Sequence, residues 1–356
     1  MVLLFDPAPP SLQWCKVHGG KLSGGTYEFG HQSDELVRDH IGGLEAVRTV
    51  GYVLHHGGEE IDRPVSLMTR DSLKSLERCM RFQPEYNEVT LKAAEFWMSR
   101  LPDVRHLLLC DTAYFAKLPP EASDYAVPGK LREDGIRRYG GFGLCHQWAW
   151  EHSELFLGHS VRRVISVYLG DHSNVAAIAD GSPVDTTIGF TPVEGILSSG
   201  GCGDIDPTIV FELHSTGMSL REITRVLSRE SGFTGLLGRE CGFTDITPGW
   251  DEPAISAVRE VLCHSLKKSI GAFLSVLGGV DAVVFLCEDP PQSMRLITAL
   301  CHSLEFLGAD RRPAPEKQGG VWNMVHDRSN VPILCLTYDK WKIIAEAAHN
   351  FTLKER

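Results

Sequence analysis

The stretch VDTTIGFTPVEGILSSGGCGDIDP, which spans Val184–Pro207, is the most informative part of the sequence. It combines many glycines with four acidic side chains around a predicted loop. Glycine lets a backbone approach a ligand closely and adopt positive φ, while Asp and Glu orient loops or metal-bound waters. Alone the pattern is typical of a loop. It becomes specific together with GYVLHHGG at Gly51–Gly58, CDTAYFAKLP at Cys110–Pro119 and GIRRYGGFGLCH at Gly135–His146.

Strands and helices alternate along the chain, which predicts an α/β fold, and the length of 356 residues suggests about two domains. Short apolar runs predict strands at Met1–Phe5, Arg105–Phe115, Val161–Leu169, Asn174–Ala179, Asp281–Cys287 and Val331–Thr337. Helical periodicity appears at Asp34–Val47, Asn87–Leu101, Ser219–Ser231, Glu252–Leu277, Pro291–Leu307 and Asp339–Asn350. The Gly- and Pro-rich stretch Gly308–Gly320 predicts a surface loop.

The composition argues against two classes of partner. Lys and Arg number 35 against 46 Asp and Glu, a net charge of −11, whereas a nucleic acid or an anionic membrane requires a concentrated basic face. The N-terminal segment does not resemble a signal peptide, and the most apolar stretch, Gly271–Cys287, is interrupted by glycines and an aspartate. Ten cysteines are scattered singly, which is typical of reduced, buried thiols. We therefore expect a cytoplasmic protein.

The four segments quoted above, in this order, resemble the acetate kinase family of carboxylate phosphotransferases. The resemblance extends to Leu3–Trp14, Lys267–Phe285 and Val331–Asp339. It implies two actin-like, ribonuclease-H-like domains with a cleft between them: residues 1–117, to which a C-terminal segment of about 339–356 returns, and residues 118–338. Family members transfer the ATP γ-phosphoryl group to a short carboxylate with Mg²⁺ and are commonly homodimers. The expected partner is a small carboxylate or a related anion.

The resemblance also assigns candidate site residues. It implies catalytic roles for Asp111, His56, His146 and Arg138, and nucleotide binding by Gly170, Gly203 and Asp245. It places Asp6 and Asp339 where the family has a metal-site Asn and Glu. Both replacements keep an oxygen ligand, which makes Mg²⁺ a candidate cofactor. The alternative for these residues is structural, because aspartates cap turns and buried Arg–carboxylate pairs hold such folds together.

Other positions depart from the family pattern. The two arginines that the family places on the transferred phosphoryl group align with Val53 and Gly201, and its principal histidine there aligns with Phe142. Losing one preorganised donor typically costs about 10²- to 10³-fold in rate. The family's Gly-rich nucleotide loop aligns with LCEDPPQ at Leu286–Gln292, where two prolines lack N–H groups and two acidic residues repel phosphate. These changes argue against conventional ATP binding.

New polar groups align with the family's apolar acetate pocket. His55 and Arg81 occupy pocket positions, and Pro192 is the same as in the family. Gly141 stands where the family has an aromatic residue. These differences predict a larger pocket for a bulkier anionic acid. The alternative is an exposed Arg81 and a His55 bonded within the core. Three functions stay open: an acyl-acid kinase with a remodelled substrate or donor, a non-catalytic pseudokinase that binds a metabolite or partner, and another metal-assisted reaction on the same scaffold.

Overall fold

The computed structural model describes residues 1–28, 41, 43–248 and 252–354. It divides into two compact units. The first contains Met1–Lys117, Gly141–Cys145 and Asp339–Arg356, and the second contains Leu118–Gly140 and His146–Tyr338. In the part of the chain that the structure describes, no helix is both long and apolar enough to cross a bilayer.

The elements are numbered here in chain order. The strands are β1 Val2–Ala8, β2 Ser11–His18, β3 Lys21–Glu28, β4 Thr49–Leu54, β5 Val65–Leu67, β6 Arg105–Cys110, β7 Arg163–Tyr168, β8 Asn174–Ala179, β9 Ser182–Thr186, β10 Ala282–Cys287, β11 Arg311–Gln318, β12 Val321–Val325 and β13 Ile333–Thr337. The helices are α1 Arg70–Arg78, α2 Pro84–Arg100, α3 Pro120–Ser123, α4 Gly129–Glu133, α5 Gly143–Leu157, α6 Thr208–Ser215, α7 Leu220–Arg229, α8 Gly232–Leu237, α9 Phe243–Ile246, α10 Pro253–Leu277, α11 Pro290–His302 and α12 Lys340–Lys354.

The first unit is built on a mixed sheet with the strand order β3-β2-β1-β4-β6-β5. The parallel strands β1, β4 and β6 lie in its centre and are buried along most of their length, as expected for strands that are covered on both faces. Helix α2 packs on β1 and β4, where its Trp97 stacks on Phe5 with ring centroids 5.2 Å apart. The carboxyl ends of β1, β4 and β6 therefore carry Asp6, His55 and Asp111 to one edge of this sheet.

The second unit repeats this plan with the strand order β11-β12-β13-β10-β7-β8-β9. Strands β13, β10 and β7 are parallel, and the flanking pairs are antiparallel. The long helix α10 packs on β7, β8 and β9 through a buried face that includes Leu262, Leu266 and Ile270. A separate apolar core forms in this unit.

Two sequence predictions were wrong in type or extent, and a third falls mostly on residues outside the described part of the chain. Gly308–Gly320 is not a loop: it contains β11, whose prolines are tolerated because β11 is an edge strand with an irregular register. The strand predicted at Arg105–Phe115 ends at Cys110, and Thr112–Lys117 forms a 3₁₀ helix. The helix predicted at Asp34–Val47 lies mostly outside the described residues, and its last residues, 43–47, form a turn.

Candidate functional site

A compact ionic cluster forms at the edge of the first sheet. The Asp6 Oδ1 lies 3.0 Å from His55 Nε2, and the Lys340 ammonium donates to Asp6 Oδ2 at 2.5 Å. Lys340 also donates to Gln13 Oε1 at 2.6 Å. Gln13 is placed there by the β1–β2 register, which pairs it directly with Asp6, and Lys340 is the first residue of α12. The Asp6 side chain is 5% exposed, against 31% for His55 and 32% for Lys340.

The pKa values of Asp6 and His55 reflect this pairing. Burial works to raise the pKa of the Asp6 carboxyl, but the hydrogen bonds and positive charges of His55 and Lys340 outweigh it and hold that pKa below its usual value. Burial works to lower the pKa of His55, and the bonded Asp6 with the nearby Asp111 raises it overall. The cluster therefore favours the ionised form of Asp6 and the protonated form of His55.

Asp111 stands immediately after β6, where its backbone N–H donates to the Leu54 carbonyl at 3.0 Å. Burial raises the pKa of its carboxyl to about 6, and the Asp6 charge adds to this. The His55 charge and a hydrogen bond from the Leu144 backbone act in the opposite direction. A carboxyl group with this pKa can take or give a proton near neutral pH.

The close fit around Asp111 depends on a glycine. A Cβ on Gly143 would overlap with the Asp111 carbonyl oxygen and crowd the Tyr114 Cβ. Gly143 therefore allows the GGFG segment to lie directly against the Asp111 backbone. The preceding Phe142 has a φ of +57°, a left-handed conformation that is uncommon for residues other than glycine.

His56 and His55 face different surroundings. His56 is 0% exposed, stacks on Phe82 with ring centroids 4.3 Å apart, and accepts a hydrogen bond from the Gly58 N–H through Nδ1. His55 stacks on Tyr86 at 5.0 Å and faces the Asp6 cluster. The structure therefore places His55, rather than His56, at the ionic cluster, and the catalytic role of His56 stays a prediction.

The predicted pocket residues are distributed over both units. His55, Arg81 and Gly141 belong to the first unit, and Pro192 belongs to the second. Arg81 is exposed, and its guanidinium lies 4.6 Å from the centroid of the Phe82 ring. This arrangement corresponds to the structural alternative for Arg81.

In the second unit, His146 is a core residue. Its ring lies between Ser166 Oγ at 2.8 Å and Asn174 Oδ1 at 2.5 Å, and burial lowers its pKa to about 4. Arg138 donates to Glu194 at 2.9 Å and to the Thr186 carbonyl at 3.2 Å. Both side chains hold strands and loops together, so these geometries favour the structural alternative over the predicted catalytic roles.

The candidate nucleotide residues also make internal contacts. The Gly170 N–H donates to Ser173 Oγ at 3.2 Å, and Gly203 has a φ of +70° in a turn where a Cβ would crowd Gly195 and Leu197. The Asp245 side chain accepts from the Gly242 N–H at 2.8 Å. These residues shape loops of the second unit.

The segment aligned with the family's nucleotide loop is a tight junction between β10 and α11. Asp289 caps the helix, since its Oδ1 accepts from the Gln292 N–H at 3.2 Å. Pro290 and Pro291 occupy the first two helical positions and have no N–H to donate. A helix N-terminus normally attracts anions through free N–H groups, and here a carboxylate of the chain already satisfies it.

A sequence profile described as the Acetokinase family matches residues 30–346. The chain belongs to this family. It is 36% identical to the acetate kinase of Coprothermobacter proteolyticus over 274 residues, which cover 74% of the chain and 68% of the relative. It is 35% identical to the acetate kinase of Carboxydothermus hydrogenoformans over 287 residues, covering 78% and 71% of the two chains.

Solved structures establish the fold of this acetokinase-family chain. The crystal structure of Porphyromonas gingivalis acetate kinase superposes with a TM-score of 0.86 at 22% identity and covers 98% of both chains. The acetate kinase of Entamoeba histolytica gives the same TM-score at 20% identity, covering 98% of this chain and 99% of that one. The predicted α/β fold with two actin-like domains is thus confirmed.

The residues predicted to hold Mg²⁺ fit a divalent ion poorly in this family member. Both oxygens of Asp6 are engaged by cationic side chains, and Asp339 is exposed and accepts from the Lys342 N–H at 3.1 Å at the start of α12. Among residues 1–28, 41, 43–248 and 252–354, no three His, Cys, Asp or Glu side chains converge in a way that could hold a metal. Mg²⁺ would have to displace Lys340 from Asp6.

Sequence reasoning missed Lys340 and Gln13. The sequence signal for Lys340 was a cationic residue directly after Asp339, at the start of a predicted helix. Gln13 could be found only through the β1–β2 hairpin, which pairs it with Asp6.

Proposed function

We propose that the protein is a phosphotransferase with a carboxyl-group acceptor in which the acceptor, or the phosphoryl donor, differs from acetate and ATP. Family membership supports the reaction class. The single observation that carries the remodelling is the β10–α11 junction, where Asp289 caps the helix and two prolines remove its first donors. A nucleotide phosphate would meet a carboxylate there rather than free N–H groups.

The two positions aligned with the family's arginines support the same proposal. Val53 lies inside β4 and is 3% exposed. The Gly201 N–H donates to Ser198 Oγ at 2.8 Å, and a Cβ on Gly201 would lie 2.6 Å from that oxygen. Each lost side-chain donor costs about 10²- to 10³-fold in rate, although such losses do not simply add. Acetate phosphorylation by ATP should therefore be near background.

Asp111 is the catalytic residue in this proposal. It is retained from the family pattern, stands beside the His55–Asp6 pair, and has a carboxyl pKa of about 6. We assign it the role of accepting the proton of the bound acid, which leaves the carboxylate that attacks the phosphorus of the donor. His55 supplies a positive charge next to it, which favours an anionic ligand.

The test is an acyl phosphate trap with hydroxylamine. The purified protein is incubated with ATP, GTP or an inorganic phosphoryl donor and a panel of carboxylic acids of increasing size. Acetate with ATP should give background hydroxamate, and a larger acid with another donor should give a signal that Asp111→Asn abolishes and the exposed control Asp103→Asn leaves intact. Turnover of acetate near about 10 s⁻¹, an ordinary enzyme rate, would contradict the remodelling.

A second candidate is a non-catalytic binding protein. The observation that favours it is the same capped helix N-terminus at the β10–α11 junction. This cap would weaken binding of a phosphoryl donor and would leave the Asp6 cluster unchanged. Carboxylates that raise the thermal midpoint without forming any acyl phosphate would support this candidate. The third function, a different metal-assisted reaction, loses support because the proposed ligands fit a divalent ion poorly.

Two further features remain proposals. A cytoplasmic location is supported by the ten cysteines, all of which are free thiols and eight of which are buried. A homodimer is expected from the resemblance alone, and light scattering at micromolar concentration would test it.

A further inference from the structure

The cluster around Asp6 contains a positive charge that belongs to the chain itself. The Lys340 ammonium contacts Asp6 Oδ2 at 2.5 Å and Gln13 Oε1 at 2.6 Å, so two of its three N–H groups have partners on adjacent strands. Its ammonium also lies 5.1 Å from the ring centroid of Trp341. These contacts tie the start of α12 to β1 and β2 and hold the charge in one place.

The Asp6 carboxylate has little capacity left for another cation. His55 Nε2 lies 3.0 Å from Oδ1, and Lys340 takes Oδ2. The carboxyl group is almost fully buried, so a divalent ion could reach it only by displacing one of these partners. Such an ion would also be repelled by the positive charges around Asp6, at short range and with little solvent between them.

The neighbouring carboxylate of Asp339 does not provide an alternative ligand for a divalent ion. Asp339 precedes Lys340, but its Oδ1 accepts from the Lys342 N–H at the first turn of α12. This carboxylate therefore caps the helix that carries Lys340. The local sequence Asp339–Lys340 thus positions a cation, rather than a second metal ligand, at the sheet edge.

We propose that Lys340 is a resident cation that takes the place of a divalent metal ion at Asp6. Lys340 and His55 of the chain then stabilise the negative charge of a bound oxyanion, such as a carboxylate or phosphate group. Both side chains are about one third exposed, so they remain accessible to a ligand. This inference concerns the charge at Asp6 and does not depend on the proposed phosphotransferase activity.

The test is a direct titration with Mn²⁺ as the probe, followed by electron paramagnetic resonance of the free ion. It needs no substrate, so its result is independent of whether a carboxylate acceptor is found. Wild type should bind no Mn²⁺ at Asp6 below millimolar concentration. Lys340→Met removes the charge and keeps a similar length, and it should bind Mn²⁺ at least tenfold more tightly. Lys342→Met, at an exposed lysine of the same helix, is the matched control and should behave as wild type.

Two results would overturn the proposal. The first is micromolar Mn²⁺ binding by wild type that Asp6→Asn abolishes, because Asp6 would then accept a metal despite Lys340. The second is equally weak binding by wild type and Lys340→Met, because Lys340 would then not be what excludes the ion. Lys340→Gln keeps polar contacts with Asp6 and Gln13 without the charge. It provides the same comparison if the methionine variant does not fold, as judged by circular dichroism.

Discussion

The raised pKa of Asp111 predicts how the stability of the first unit depends on pH. The folded-state value is about 6 against the usual 3.8, so the folded protein binds a proton more tightly than the unfolded chain does. Between these two values the folded state holds more protons, and stability falls as pH rises. Asp111 therefore stabilises the protein fully below pH 3.8, and this contribution is lost as pH passes through 6.

The magnitude follows from the two pKa values. The full difference of 6 − 3.8 = 2.2 pKa units corresponds to about 3 kcal/mol. At pH 5 the tighter proton binding of the folded state raises the folding equilibrium constant by a factor of about 10, or about 1.4 kcal/mol. At pH 8 it has almost no effect. Asp111→Asn removes this pH dependence. The difference in unfolding free energy between the variant and wild type should therefore shift in favour of the variant by about 1.4 kcal/mol at most when the pH is raised from 5 to 8.

The assay is urea unfolding at both pH values, with the first unit followed by hydrogen–deuterium exchange of peptides from β1, β4 and β6, since two-unit proteins need not unfold in one step. His55 titrates nearby with the same sign, and the comparison is repeated in a His55→Gln background to isolate the Asp111 part. Asp103→Asn, at an exposed position, is the control. A stability difference that is the same at pH 5 and pH 8 would refute the reasoning.

Three further predictions concern packing, acid sensitivity and the helix cap. Gly143→Ala should lower the free energy of unfolding by about 1–3 kcal/mol, because the added Cβ would overlap with a backbone carbonyl oxygen. Gly271→Ala lies in open space within α10 and should raise the free energy of unfolding by about 0.5–1 kcal/mol. If thermal denaturation shows the same sign of change for both variants, the packing argument is wrong. Burial lowers the pKa of His146 from 6.5 to about 4, so the protein loses stability as the pH falls below 6.5. His146→Gln should therefore reduce the loss of unfolding free energy between pH 8 and pH 5 by about 2 kcal/mol. If urea unfolding shows the same pH profile for this variant and wild type, His146 is not the source of the acid sensitivity. Asp289→Ala should cost about 1 kcal/mol as a lost helix cap. Because it also removes the carboxylate that faces an incoming anion, it should not weaken nucleotide binding. A variant that loses ATP binding seen in wild type by calorimetry would count against the proposed junction.

Most of the central fold could be predicted from the sequence because its strands are continuous apolar runs. Asn174–Ala179 was predicted with the observed bounds, and Asp281–Cys287 differs from β10 by one residue. The same reasoning missed β4 in the centre of the first sheet, and it missed the edge strands. Strand β11 consists of RRPAPEKQ, which has neither alternation nor apolar character, and it is held by pairing with β12 rather than by its own propensity.

The candidate site was predicted less completely, for a related reason. The family resemblance identified Asp6, His55 and Asp111 as candidates, and the structure brings Asp6 and His55 together at the edge of the first sheet with Asp111 near them. The sequence could not identify Lys340 as the partner of Asp6, which lies 334 residues away along the chain. It also could not decide between roles for His146, because its bonds to Ser166 and Asn174 depend on the pairing of β7 and β8.

Calorimetric titration of ATP, with and without Mg²⁺, decides whether the proposed change of phosphoryl donor holds. We expect no detectable heat at two temperatures and no thermal shift, because Asp289 caps the helix that aligns with the family's nucleotide loop and Lys340 engages Asp6. Binding with a Kd in the micromolar range, about −8 kcal/mol, that strengthens with Mg²⁺ would contradict both parts of the account.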